Sequence, residues 1–143
     1  MEAYWLGECE IVECVIVLDT SILFLIADGL AFFDNIYEVD YGCRPILIKP
    51  VLQEIINISK RDCGKKGKLA KWILENIVPI IKVEDFTFEG SVDDALIAFA
   101  KKLRDKGFKV FIASADKKVR EKAMKESIDV IVYRFSEKMF ESL

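Results

Sequence analysis

Asp19 stands inside an apolar run, "VIVLDTSILFL" at residues 15–25. A carboxylate in such surroundings is costly unless it is hydrogen-bonded, paired or neutralised. Further acids stand at comparable junctions: Glu54 in "KPVLQEI", Asp93 and Asp94 in "SVDDALIAFA", and Asp116 in "FIASADKKV". Carboxylates gathered at one place repel one another and raise one another's pKa, and a divalent cation removes that penalty. Such an ion orients and acidifies a water and stabilises charge on a phosphodiester during in-line displacement. Thr20, Ser21 and Ser114 add hydroxyls that can orient the carboxylates or a bound water. This chemistry needs no histidine base, and the chain has no histidine.

Each acid also has a plain structural reading. Asp19, or Ser21 beside it, can cap a helix, and Asp116 can cap the helix after it. Ser91 to Asp94 is close to a capping box. Glu54 can be an ordinary helix residue facing water. Four such readings, all at one edge of one sheet, are harder to accept together than singly, and Asp19 is the hardest because its neighbours are apolar.

The elements that must position these acids alternate between strand and helix. Val15–Leu18 is an all-apolar run, as in a parallel strand buried on both faces. A helix follows over residues 21–33, then a strand at 45–48 and a helix opened by Pro50. The pattern predicts a loop containing Gly64 and Gly67, a helix at 69–76, a strand at 80–83, and a long helix at 92–106 closed by Gly107. A strand at 108–113, a helix at 117–126 and a strand at 130–133 complete it, with residues 1–13 as an extension and 134–143 as a tail. This order implies one domain with a parallel sheet between helices. Ligands of such folds sit outside the carboxyl ends of the strands, where Asp19 and Asp116 fall. On the helix from Pro50, Glu54 lies at the rim of the arc formed by Val51, Leu52, Ile55, Ile56 and Ile58.

Composition narrows the function further. The 143 residues are 52% hydrophobic and 31% charged, a globular balance rather than a disordered one. The greasy stretch 14–33 contains Asp19 and Asp28; a central Asp costs roughly 2.5–3.5 kcal/mol on insertion, which argues against a membrane span. The first ten residues hold three Glu and no Lys or Arg, unlike a signal peptide. Cys9, Cys14, Cys43 and Cys63 form no C-x-x-C pair, so a zinc site is disfavoured and reduced thiols in a cytoplasmic protein are expected. Oxygen ligands remain, and those suit Mg²⁺ or Mn²⁺.

Net charge is −3 but uneven: residues 1–43 hold nine acids and no Lys or Arg, leaving +6 on the rest. "KRDCGKKGKLAK" at 60–71 holds six positive residues. Lys60, Arg61, Lys65, Lys66 and Lys68 are its candidates for phosphate contact, the alternative being a solvated face. Lys117, Lys118, Arg120, Lys122 and Lys125 form a second basic set.

The motifs together resemble the PIN-domain ribonucleases over about residues 15–133. "VIVLDTSIL" is similar to the family's first strand with its D-T-N/S element, "KPVLQEI" to its second acidic element, "SVDDALIAFA" to its D-A-x-I-A element, and "FIASADKKV" to its strand followed by T/S-x-D. The resemblance implies a three-layer α/β/α sandwich with a central parallel sheet. It also implies an Mg²⁺- or Mn²⁺-dependent endoribonuclease with Asp19, Glu54, Asp93, Asp94 and Asp116 as catalytic acids. Asp19, Asp94 and Asp116 are its expected metal ligands. Asp93 and Asp94 both stay in view, because a branch similar to ribosomal-RNA-processing PIN proteins and their archaeal relatives carries two Asp there. RNA is the implied substrate and a homodimer the implied assembly. A ribosome-assembly partner would accompany a processing role, and an antitoxin would accompany a role like that of the VapC-type toxins. Two other classes stand beside this reading. In one, Asp19 is a phosphoacceptor of a receiver-like or phosphoryl-transfer protein; in the other, the chain is a non-catalytic RNA- or protein-binding module.

Overall fold

A computed structural model of the chain describes residues 4–6, 9–11, 13–31, 33–38 and 42–143, the side chains at 4–6, 9–11 and 36–38 aside. Its elements run β1 (Tyr4–Leu6), β2 (Cys9–Ile11), β3 (Cys14–Leu18), α1 (Thr20–Ala27), β4 (Cys43–Ile48), α2 (Lys49–Arg61), α3 (Lys65–Asn76), β5 (Lys82–Glu84), α4 (Val92–Asp105), β6 (Lys109–Ala113), α5 (Lys117–Lys125), β7 (Asp129–Arg134) and β8 (Met139–Ser142). Short 3₁₀ turns occupy Phe33–Glu38 and Val78–Ile80. β1 and β2 pair as an antiparallel hairpin. The side chains of Tyr4, Trp5 and Leu6, an apolar set within the N-terminal extension, are outside the described ones.

Six strands form the main sheet in the order β5-β4-β3-β6-β7-β8. All neighbours are parallel except β7 and β8. The expected parallel sheet is therefore mixed at one edge, and residues 139–142 of the expected tail are an edge strand. Their pattern hides it: only Phe140 is buried, too short a run for a period of two to stand out.

β3 lies at the centre, and Val15, Ile16, Val17 and Leu18 have no exposed surface. Full burial of such a side chain stabilises by roughly 1.5–3 kcal/mol. From β3 the chain first builds outward to β4 and β5, then crosses back to place β6 on the other side. The carboxyl ends of β3 and β6 thus flank the point where the strand order reverses, which is where crevices open in such sheets. Helices α1, α2 and α3 pack on one another, while α4 packs on β6 and α5. Among the described residues no helix is long and apolar enough to cross a membrane.

Two local differences from the sequence reading have clear causes. Helix α1 stops at Ala27 rather than Phe33, because Gly29 adopts φ +75° and the amides of Gly29 and Leu30 return to the carbonyls of Ile26 and Leu25. Such a Schellman closure satisfies the last carbonyls and ends a helix. Gly107, at φ +96°, closes α4 in the same way, as expected. Helix α3 begins at Lys65 rather than Leu69, and Gly67 lies inside it. A Cβ at Gly67 would stand 1.8 Å from the Asp62 carbonyl oxygen, so the glycine allows α3 to turn back tightly against the end of α2.

The expectation of reduced thiols is corrected. Cys14 and Cys43 form a disulfide, with Cα atoms 4.4 Å apart. They are register partners on β3 and β4, a relation no sequence spacing reveals. Cys63 is free and exposed.

Candidate active site

The chain leaves β3 at Asp19, which is extended and caps α1. Its amide donates to the Ala113 carbonyl at 3.0 Å, tying it to the end of β6. Asp19 Oδ1 accepts from the Thr20 amide at 2.8 Å. Asp19 Oδ2 accepts from the Ser21 hydroxyl at 2.9 Å and the Ser114 hydroxyl at 2.6 Å. Each serine also accepts a backbone amide: Ser21 from Ala115 at 2.9 Å, Ser114 from Asp116 at 3.0 Å. A hydroxyl has one proton to give. With both protons directed at Asp19, the 3.4 Å approach of the two serine oxygens is a contact rather than a bond. The expected roles of Ser21 and Ser114 as orienting groups thus have a geometry: they clamp one carboxylate oxygen and carry the loop after β6.

Asp19 is 5% exposed. Burial pushes its carboxyl above the ordinary Asp range; the Ser114, Ser21 and Thr20 hydrogen bonds pull it back, and the charge of Asp93 pushes it up again. Asp93 and Asp19 share one space. Both line a cleft of about 290 Å³ together with Glu54 and Asp116. These four carboxylates come from the end of β3, from α2, from the first turn of α4 and from the cap of α5. Thr20, Ser21, Phe24 and Lys66 also line the cleft.

Asp94 does not line it. Its carboxylate meets Lys122 at 3.1 Å, on α5, and that ammonium holds the carboxyl below the ordinary Asp range. The cap of α4 is Ser91, which accepts from the Asp94 amide at 3.1 Å. Of the two acids kept in view, Asp93 lines the cleft, and Asp94 meets Lys122 on α5.

The donor set suits a hard divalent cation, being all oxygen. Thr20 Oγ1 fits the same picture, because it is buried without a hydrogen-bond partner at the wall of the cleft. Among the described residues, however, no three His, Cys, Asp or Glu side chains close on a common point. Mg²⁺ commonly takes only one or two carboxylates and keeps several waters, so a pair of acids with two more at the rim is compatible with such an ion.

The basic candidates separate clearly. Lys66 lines the cleft and, with Arg61, also a second groove of about 550 Å³ that shares Glu54 and Ile58 with it. Lys66 Nζ stands 5.7 Å from the centre of the Phe24 ring. Lys65 is paired with Asp28 at 3.1 Å, and Lys60 and Lys68 are exposed and line neither space. Lys117 and Lys122 of the second basic set are paired with Glu121 and Asp94. Gln53 and Asn57, which the sequence reading passed over, line the second groove. Their signal was their four-residue spacing beside Glu54, legible only once the exposed face of α2 is known.

The three-layer α/β/α sandwich on a mostly parallel six-stranded sheet has the fold of a PIN domain. A solved structure described as the PIN domain endonuclease Utp24 matches with a TM-score of 0.65, over 90% of this chain and 90% of that one, at 15% sequence identity. No family model matches the sequence, and no curated protein does.

Proposed function

We propose that the chain is a metal-dependent endoribonuclease. The observation that carries this reading is the cleft beyond the sheet, which the buried Asp19 lines together with Glu54, Asp93 and Asp116 from three other elements. The similarity in fold to an endonuclease supports the same class of reaction. A phosphoacceptor Asp19 has less support, since three hydrogen bonds already engage both its oxygens.

In this reading Asp19 and Asp93 hold an Mg²⁺ or Mn²⁺ ion, with Glu54 and Asp116 at the rim to accept hydrogen bonds from its waters. When bound, the ion supplies Lewis-acid stabilisation of the phosphodiester and a more acidic water. Ser21 and Ser114 keep Asp19 in one orientation, so its remaining acceptor capacity faces the cleft without rearrangement. Thr20 offers its unpartnered hydroxyl to a water. Lys66 and Arg61 contact the phosphates flanking the scissile bond, since positively charged side chains at a groove position the strand without reading it. The basic segment 60–71 beside the cleft favours RNA processing over the toxin role.

Cleavage of a single-stranded RNA with Mn²⁺ or Mg²⁺ tests this. Asp19→Asn is expected to lower the rate on the order of 100-fold, about 2.7 kcal/mol of barrier. Asp93→Asn is expected to lose at least tenfold, and Asp94→Asn to stay within about twofold of the unsubstituted protein. Equal cleavage by Asp19→Asn and the unsubstituted chain contradicts the proposal; a larger loss in Asp94→Asn than in Asp93→Asn overturns the assignment of the acids.

A further inference from the structure

We infer that Gln53 and Asn57 form a base-reading subsite, which selects the nucleotide seated in the groove beside the scissile phosphate. The inference rests on the nuclease reading and deepens it. Residues 53, 57 and 61 are spaced four apart on α2, so Gln53, Asn57 and Arg61 share one stripe of the helix. Glu54 and Ile58 form the adjacent stripe, and those two residues line both the acidic cleft and the larger groove. A strand lying across the acids therefore continues directly over the amides. From Gln53 to Arg61 the helix rises about 12 Å, several times the ~3.4 Å step between stacked bases, which leaves room for more than one nucleotide.

The groove divides its chemistry. Arg61 and Lys66 are in no ion pair among the described residues, unlike neighbouring Lys65, and they suit phosphates. Gln53 and Asn57 are uncharged, so they add little to backbone affinity. Gln53 Nε2 donates to Asn57 Oδ1 at 3.0 Å. Whichever amide donates, the pair keeps one carbonyl oxygen and three N–H protons outside the bond. That is a mixed pattern of acceptor and donors, which matches a base edge. Single-stranded RNA presents such edges free for hydrogen bonding. A solvated i,i+4 surface pair would need no groove, whereas these amides line a space continuous with the acids.

The experiment has two arms on the full chain. In the first, a randomised single-stranded RNA is cleaved with Mn²⁺ and the product ends are sequenced. In the second, short labelled oligonucleotides of single base composition are titrated in Ca²⁺ and followed by fluorescence anisotropy. The unsubstituted protein is expected to show a bias of roughly tenfold between best and worst base at one position fixed relative to the cut, with a parallel order of affinities. Gln53→Ala/Asn57→Ala is expected to flatten both to within about twofold, while melting within ~2 °C of the unsubstituted chain. Arg61→Ala should instead weaken all oligonucleotides alike and leave the bias in place. Cleavage without bias, or a bias that survives the double substitution, overturns the inference and leaves the nuclease reading standing. Biased binding without cleavage supports the subsite and removes the nuclease reading; neither binding nor cleavage removes both.

Discussion

A buried carboxylate flanks β3 at each end, and the protein treats the two differently. Glu13, before the strand, stands 3.1 Å from the Arg44 guanidinium, in a region stapled by the Cys14–Cys43 disulfide. Asp19, after the strand, receives hydroxyls and one amide, and the like charge of Asp93 raises its pKa. The amino end of the sheet is held by a covalent link and an ion pair. The carboxyl end gathers carboxylates with Lys66 as the cation lining their cleft. The contrast separates the part of the molecule that secures the fold from the part proposed above to receive a cation and an anionic strand.

The largest effect expected from this contrast is at the amino end. Opening the disulfide, by reductant or by Cys14→Ala/Cys43→Ala, frees a loop whose ends are 29 residues apart. That should lower stability by about 3–4 kcal/mol, read as a drop in melting temperature, with RNA cleavage well below the melt unchanged within about twofold. A large loss of cleavage in protein that is still folded would show that the two ends are not separable.

A smaller effect is expected at the carboxyl end, in metal-free buffer. Burial raises the Asp19 pKa in the folded chain above its unfolded value. For an acid shifted this way the folded state binds the proton more tightly. Its contribution is therefore fully present below the unfolded pKa, near 3.9, and declines as pH rises through the folded value. Asp19→Asn lacks this decline. The melting temperature of Asp19→Asn minus that of the unsubstituted chain should grow more positive between pH 4 and pH 7, and a constant difference would mean that the buried charge carries no penalty.

Only the carboxyl-end half of this contrast was legible in the sequence. The apolar halves of residues 15–25 marked β3 and the inner side of α1, with Asp19 at their join, and Gly107 marked the end of α4. The choice between Asp93 and Asp94 was not legible, because Ile97 lies on the helical stripe of both. It is decided by Lys122, 28 residues further along. The disulfide was hidden for a similar reason, since only the register of β3 against β4 brings Cys14 to Cys43. The early start of α3 depends on a close approach between Gly67 and Asp62, a contact that glycine's weak helix propensity points away from. In each case local pattern placed the element, and a contact between elements chose the residue.

The central claim is that the penalty of Asp19 is offset by a divalent cation held with Asp93. Thermal melting at pH 7 with and without Mn²⁺ tests it most directly, on the unsubstituted chain, Asp19→Asn and Asp94→Asn. At a hundredfold excess over Kd, binding to the folded state alone adds about 2.7 kcal/mol, a rise of several degrees. That rise is expected in the unsubstituted chain and in Asp94→Asn, and its loss in Asp19→Asn. An equal rise in Asp19→Asn, or no rise in the unsubstituted chain at any Mn²⁺ concentration, would contradict the claim.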